Sequence, residues 1–285
     1  MSRNRDRVGA QTQNVDTPAP VVQQNTGEPF SFVVPTDIID LPSGGRYYSE
    51  THPLYGHDTI ELRHMTAKEE DILTSRSLLK KGTALDRVIK NLIVDKSINP
   101  DSLLVGDRNA IIIAARISGY GPAYETTVVC PSCQTRQEYT FNLEEPTTYT
   151  GDQTEQLDIT NNEDGTFDVV LPKMQVTATF RLFTGRDEKM LMEMLKNKPK
   201  GNKGLENNVT RQLANMIVAV NGDTSAQTRK YLVDNIPSMD SRHLRLAYRL
   251  AAPNVDLTQT FECSECAHEQ DMEVPLSADF FWPDR

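Results

Sequence analysis

Four cysteines occur in the 285-residue chain, and all of them belong to Cys-x-x-Cys pairs. The first pair is Cys130 and Cys133, and the second pair is Cys263 and Cys266. A two-residue gap at a tight turn lets both sulfur atoms of a pair reach one ion at about 2.3 Å, and four thiolates complete a tetrahedral zinc shell. The spacing therefore predicts one structural Zn2+ that the two pairs bind together.

Other interpretations of the cysteines remain open. The pairs can stay reduced without a metal, or one of them can be a thioredoxin-like redox pair, although neither lies in the strand-to-helix context of that motif. His268 follows Cys266 by two residues and is a candidate replacement ligand, although we expect it to be exposed or to lie beside the ligands. Four thiolates leave no open position for water or substrate, so the predicted zinc stabilises the fold and does no chemistry.

Each cysteine pair lies between two runs of alternating apolar and polar residues, a pattern that predicts a β-hairpin. A shift of 133 residues aligns the two hairpins and the helical patterns before them. Further upstream the shift falls to 124 and then to 118, as expected for a duplicated unit with loop insertions. The aligned pairs include Gln137 with Gln270, Arg116 with Arg249, Asp107 with Asp240, and Asn91 with Asn215.

A threonine followed three residues later by an acid marks the start of a helix in each copy. Thr66 precedes Glu69, and Thr184 precedes Asp187, at the spacing of a capping box. The order of strand, helices and hairpin therefore occurs twice. It predicts an α+β fold built by tandem duplication, in which the two Cys-x-x-Cys hairpins join as a zinc-ribbon-like site.

The duplication divides the chain into six segments. They are a flexible N-terminal arm at 1–28, an extended lead-in segment at 29–58, a first repeat at 59–150, a linking β-hairpin at 151–176, a second repeat at 177–276 and an aromatic C-terminal tail at 277–285. The arm is polar and contains several prolines, so it cannot bury enough apolar surface to fold alone. A lysine-rich loop at 196–208 is either solvated or a docking patch for an acidic partner.

Composition limits the classes of function. The chain has 30 basic and 40 acidic side chains and a net charge of −10. Because nucleic-acid affinity depends largely on Lys and Arg, a zinc-ribbon nucleic-acid protein is disfavoured and no nucleic-acid partner is expected. No apolar run approaches the roughly 18 residues of a membrane span, and the N-terminus lacks a signal-peptide core. We therefore expect no membrane partner and synthesis in the cytoplasm.

No catalytic constellation is recognisable in the sequence. The five histidines are scattered, and the chain lacks a His-Glu-x-x-His motif, a nucleophile elbow and a Gly-rich dinucleotide fingerprint. The turn Ser43-Gly44-Gly45-Arg46 is not followed by the Lys-Ser/Thr of a phosphate-binding loop. We therefore expect no enzyme activity and assign no catalytic residue.

Several longer motifs resemble one known family. They are LPSGGRYYSETHPLYGHDTIELRHMTAKEEDILTS, LLKKG, IVDKSI, LLVGDRNAIIIAARISGYG, VVCPSC and FECSEC…ADFFWP, in this order. These runs resemble the baseplate hub subunits of T-even-type contractile-tailed bacteriophages, closely over residues 30–143 and again near the C-terminus.

The resemblance implies a virion protein of the tail baseplate, made in the host cytoplasm and bound to other baseplate, hub or tail-tube proteins in a hetero-oligomeric assembly. It implies no catalytic residues. Two functions stay open: a structural component of the hub region that carries a structural zinc, or a transient hub assembly factor that is absent from the mature virion. The sequence predicts neither the copy number nor the direct partners.

Overall fold

Short antiparallel sheets and helices alternate along the chain in the computed structural model, which describes residues 34–196, 208–274 and 278–281. The described residues from Thr36 onward belong to one compact unit. The mixture of helices and strands confirms the predicted α+β class. The predicted arm at 1–28 and nearly all of the lysine-rich loop lie outside the described residues.

The strands in the described residues pair antiparallel throughout. They are β1 (Thr36–Asp40), β2 (Thr59–Arg63), β3 (Ala123–Val129), β4 (Arg136–Asn142), β5 (Thr147–Tyr149), β6 (Thr160–Asn161), β7 (Thr166–Val170), β8 (Thr177–Arg181), β9 (Ile217–Val220), β10 (Asn254–Asp256), β11 (Thr258–Glu262) and β12 (Glu269–Glu273). They form a four-stranded sheet of order β6-β7-β8-β9 and the two-stranded sheets β1-β2, β3-β4, β5-β10 and β11-β12.

The helices occupy the segments between these sheets. They are α1 (Ala67–Thr74), α2 (Arg76–Lys81), α3 (Ala84–Leu92), α4 (Val105–Tyr120), α5 (Gly185–Lys196), α6 (Asn208–Met216), α7 (Ala226–Asn235) and α8 (Ser238–Ala251). Short 3-10 helices lie at Pro100–Ser102, Gln153–Leu157 and Ala278–Phe281.

The strand pairs β1-β2 and β7-β8 have the same design. Asp40 lies opposite Thr59 at the end of the first pair, and Val170 lies opposite Thr177 at the end of the second. Both connecting loops begin with Leu-Pro, although the first loop is 12 residues longer. In each loop the leucine N–H donates to the carbonyl of the residue just before the next strand, at 2.7 and 2.9 Å. The longer loop therefore leaves the strand register unchanged.

At the junction of β2 and α1, the fully buried carboxylate of Glu69 accepts several hydrogen bonds. The backbone and hydroxyl of Thr66 donate at 3.0 and 2.7 Å. Arg63 at the end of β2 donates at 2.7 Å, and Asn91 on α3 donates at 3.1 Å. The predicted helix start after Thr66 is confirmed, and the carboxylate ties the start of the helix to a strand and a second helix.

The junction of β8 and α5 repeats this arrangement with a shorter acid. The backbone and hydroxyl of Thr184 donate to the carboxylate of Asp187 at 2.8 and 2.9 Å. Arg181 at the end of β8 donates to both carboxylate oxygens, at 2.8 and 2.7 Å. The helix begins at Gly185, so the predicted start after Thr184 is also confirmed.

A buried aspartate near the start of each long helix holds the preceding strand loop. Asp107 on α4 accepts from the backbone and hydroxyl of Ser43 at 3.0 and 2.7 Å, and from the hydroxyl of Tyr48 at 2.7 Å. Asp240 on α8 accepts from two backbone N–H groups of the β7-β8 turn, at 2.8 and 2.9 Å. Both carboxylates are fully buried, so hydrogen bonds replace the water that each loses.

Two apolar clusters fill the interior. One packs the sheets β1-β2 and β6-β7-β8-β9 against the helices α3, α4 and α8. The other packs the hairpins β3-β4 and β11-β12 against α1, α3, α4 and the C-terminal 3-10 helix, and it includes Cys130 and Cys263. One sulfur atom of each cysteine pair is thus part of the core, which fixes the positions of both hairpin turns.

Candidate metal centre

The first cysteine pair lies in the turn between β3 and β4. The N–H of Cys130 donates to the carbonyl of Thr135 at 2.9 Å, and the N–H of Gln134 donates to the carbonyl of Cys130 at 2.9 Å. Gln134 follows the second cysteine and has a φ of 60°, in the left-handed region. This tight turn brings both sulfur atoms of the pair to the same side of the hairpin tip.

The second cysteine pair lies in a turn of the same geometry. Cys263 donates from its N–H to the carbonyl of His268 at 3.0 Å, and Ala267 donates to the carbonyl of Cys263 at 2.9 Å. Ala267 again follows the second cysteine and has a φ of 51°. Two non-glycine residues thus adopt an unfavourable backbone conformation at matching positions, and such strain persists only where the surroundings require it.

The strands on either side of the two turns have the same register. Val129 lies opposite Arg136 in the first hairpin, and Glu262 lies opposite Glu269 in the second. Each member of the second pair is 133 residues after its counterpart, which is the shift seen in the sequence.

The four predicted ligands come together in one cluster. The Sγ atoms of Cys130, Cys133, Cys263 and Cys266 all lie within 4.8 Å of one another. Across the two hairpins, Cys130 Sγ lies 3.8 Å from Cys266 Sγ, and Cys133 Sγ lies 3.7 Å from Cys263 Sγ. A tetrahedron with metal–sulfur distances of about 2.3 Å has edges of about 3.8 Å, whereas a disulfide bond is about 2.05 Å long. The distances fit a tetrahedral metal site, and all four cysteines are free of disulfides.

The thiols influence one another's protonation. Hydrogen bonds from the side chain and backbone of Thr135 lower the pKa of the Cys133 thiol to about 6. The backbone of His268 lowers the pKa of Cys266, but desolvation and hydrogen bonds with the other three thiols outweigh it and raise the pKa to about 12. Neighbouring negative charges oppose each other, so four adjacent thiols do not all ionise unless a cation compensates them. The donor set therefore suits a soft divalent cation such as zinc.

Gln137 on β4 connects the first hairpin to the second cysteine turn. Its Oε1 atom lies 3.4 Å from Cys263 Sγ and accepts from the backbone and hydroxyl of Ser264, at 3.2 and 3.1 Å. The amide nitrogen of Gln137 donates to the carbonyl of Glu262 at 3.4 Å, so both ends of the amide contact the second hairpin. The internal match between the two hairpins aligns Gln137 with Gln270 but does not predict its contact with Cys263. That contact spans 126 residues, and no local sequence pattern indicates it.

A polar and aromatic seam holds the two hairpins together beside the cluster. The hydroxyl of Tyr139 donates to the carbonyl of Thr260 at 3.0 Å, and the ring of Tyr139 packs 5.1 Å from that of Phe261. Gln259 donates to the carbonyl of Asn142 at 2.7 Å and accepts from its N–H at 3.2 Å. The hairpins are therefore positioned for a shared site by contacts other than the sulfur atoms.

His268, the candidate replacement ligand, is half-buried. Within the described residues, the side chains close enough to share an ion at this site are those of the four cysteines. The structure thus places His268 beside the cluster, where its backbone carbonyl supports the turn.

A family model described as T4 bacteriophage base plate protein matches residues 34–282, which are 249 of the 285 residues. The chain belongs to this family. The resemblance to T-even-type baseplate proteins is thereby confirmed. No curated protein and no solved structure matches the chain.

Membership of this family makes the chain a phage baseplate protein and implies a location in the virion tail. The matched region includes every element from β1 to the C-terminal 3-10 helix, so the cysteine cluster lies inside the family region. None of the described helices of this baseplate protein has both the length and the apolar content to cross a bilayer.

Proposed function

We propose that this baseplate protein is a structural component of the hub region, where it joins neighbouring baseplate or tail-tube subunits and its body is held together by one zinc ion. The family match over most of the chain supports the baseplate role. The four sulfur atoms at tetrahedral spacing are the observation that carries the zinc assignment.

In this proposal the ligands are Cys130, Cys133, Cys263 and Cys266. Bound zinc would supply no reaction chemistry, because four sulfur ligands leave no position for a substrate, and the proposed role is therefore non-enzymatic. The two hairpins are about 130 residues apart in sequence and each is attached to a different long helix. An ion shared between them closes a long loop, so its binding free energy adds to the free energy of folding.

We further propose that the body arose by tandem duplication of one strand–helices–hairpin unit, with the zinc-ribbon-like pair of hairpins at the junction of the copies. The equal registers of β1-β2 with β7-β8 and of β3-β4 with β11-β12 support this origin. A matching strand contact gives further support: Leu62 of β2 pairs with Ile93, which follows α3, and Phe180 of β8 pairs with Ile217, which follows α6.

The corresponding strand pairs β1-β2 and β7-β8 also suggest where each copy starts. The sequence pattern predicts repeats at 59–150 and 177–276, with the strands before them in a lead-in segment and a linking hairpin. The match of β1 with β7 and the Leu-Pro start of both loops support earlier boundaries, near Thr36 and Thr166. The signal was present in the sequence, since Leu41-Pro42 and Leu171-Pro172 align at a shift of 130.

The protein composition of purified tails tests the structural role. We expect quantitative mass spectrometry to find this chain in finished virions at a fixed ratio to other baseplate proteins. If the chain occurs in hub assembly intermediates but is absent from finished virions, it is a transient assembly factor and the structural role is wrong. If it occurs in neither, a hub role of either kind is wrong.

A further inference from the structure

A groove between α6 and α7 carries positive charge on a chain whose net charge is −10. Its volume is about 340 Å3. Three of its lining residues are cationic, Arg211, Arg229 and Lys230, and one is acidic, Asp234. The local charge is therefore opposite in sign to that of the whole chain, which favours an anionic occupant.

The groove is partly apolar because alanine and valine side chains contribute to its lining. Ala214 on α6 and Ala226 on α7 are both exposed and both contribute to its surface. Apolar atoms outweigh polar atoms along the lining, and no aromatic side chain is among the described lining residues. A single-stranded nucleic acid needs aromatic platforms for its bases, whereas a peptide needs only room for small side chains beside its charges.

The guanidinium of Arg229, which lines this groove, is only weakly bonded to the described residues. Its Nε atom is buried and has no hydrogen-bond partner among the described residues. Its NH1 atom reaches the carbonyl of Ile217 only at 3.5 Å. A buried N–H without a partner is unfavourable, and a guanidinium presents paired donors that match the two oxygens of a carboxylate.

Helix α7 has no counterpart of similar length in the first half of the body. The segment between α3 and α4 contains only the 3-10 helix Pro100–Ser102, whereas the segment between α6 and α8 contains the 10-residue helix α7. One wall of the groove is therefore formed by α7, a helix that the first half lacks at the corresponding position. An extension that the shared fold does not need is free to make a contact with another molecule.

We propose that the α6-α7 groove binds an acidic peptide segment of a neighbouring protein. Its carboxylates pair with Arg229, Lys230 and Arg211, and its small side chains lie over Ala214 and Ala226. The proposal requires neither the zinc ion nor the hub position.

Fluorescence anisotropy with the full-length protein tests this groove. The probe is a labelled peptide of alternating glutamate and alanine, compared with a peptide in which glutamine replaces every glutamate and with a single-stranded oligonucleotide. We expect binding of the acidic peptide alone, weakened by added salt. The variant R229Q/K230Q should lose about tenfold or more in affinity, because two charge-assisted hydrogen bonds are removed.

The matched control is K68Q/R242Q, which removes the same charge from exposed side chains outside the groove lining. It should bind the acidic peptide like the unaltered protein, and unaltered circular dichroism in both variants shows that the fold is intact. Three results would overturn the proposal: no binding of the acidic peptide, an equal loss in the control variant, or tighter binding of the oligonucleotide than of the peptide.

Discussion

The two strand–helix junctions share one network, but they are not equally buried. At the first, Glu69 is fully buried and Asn91 adds a donor from a third element. At the second, Asp187 keeps 8% of its side-chain surface exposed, and its arginine partner is also more exposed than Arg63. The same residue types at the same spacing therefore build the same helix start, while the neighbours decide how much stability it contributes.

The long helices differ in a more informative way. Arg116 on α4 is fully buried and donates to the carbonyls of Phe280, Gly121 and Ala123, at 2.7, 2.9 and 3.1 Å. Arg249 aligns with it on α8 but is exposed. Gly121 and Ala123 lie where α4 meets β3, whereas Phe280 lies on the C-terminal 3-10 helix. The buried arginine therefore ties the first helix–hairpin junction to the C-terminal segment, and the exposed Arg249 leaves the second junction without this tie.

The largest expected effect comes from the cysteines. Because one ion would join both hairpins, Cys130→Ser and Cys263→Ser should each lower the free energy of unfolding by more than about 3 kcal/mol and abolish zinc binding. Denaturant unfolding monitored by circular dichroism, with zinc analysis of each variant, measures both. Bound zinc that survives replacement of one pair would show that the hairpins do not share a site.

The buried aspartates should rank next. Asp107→Ala removes the acceptor of three hydrogen bonds and should cost about 3 kcal/mol, whereas Asp240→Ala removes the acceptor of two and should cost about 2 kcal/mol. Thermal and denaturant unfolding of both variants tests the ranking. A larger loss in the Asp240 variant would contradict a ranking by the number of hydrogen bonds removed.

The acids at the helix starts should give the smallest effect, and one that depends on pH. Burial raises the pKa of Glu69, but hydrogen bonds from Thr66, Arg63 and Asn91 outweigh it, so the net pKa is lowered. A lowered carboxyl pKa adds stability above the unfolded value of about 4.3, and this stability is lost as the pH falls through the folded value.

Asp187 follows the same rule: burial raises its pKa, but the hydrogen bonds from Arg181 and Thr184 outweigh burial, so the net pKa is lowered. Glu69→Gln should therefore cost about 1.5 kcal/mol at pH 7 and Asp187→Asn somewhat less, and both costs should shrink below about pH 4. Unfolding curves at several pH values measure these differences. A cost that stays constant from pH 7 to acid conditions would rule out the carboxylate charge as its source.

Sequence alone predicted the features that local patterns encode. The hairpins follow from alternation around the cysteines, and the helix starts follow from a threonine with an acid three residues later, as at Thr66 and Thr184. The α+β class follows from the order of these signals. Each depends on residues within one turn or one hairpin, so no knowledge of distant contacts is needed.

Contacts between distant segments were not predictable in the same way. Gly106 lies inside α4, where glycine weakens a helix. A Cβ atom at this position would lie 2.0 Å from the carbonyl oxygen of Pro253. The glycine is therefore required by a segment nearly 150 residues away. Gln137 reaches the opposite cysteine turn across a similar gap. The groove at Arg229 also depends on how two helices pack, which neither helix reveals separately.

The central claim is that the two halves share one metal ion, and X-ray absorption spectroscopy at the zinc edge, combined with metal analysis of the purified chain, tests it most directly. We expect about one zinc per chain with four sulfur neighbours at about 2.3 Å, as four thiolates require. Two zinc ions per chain, a shell that includes nitrogen or oxygen, or a folded protein without zinc would contradict the shared site.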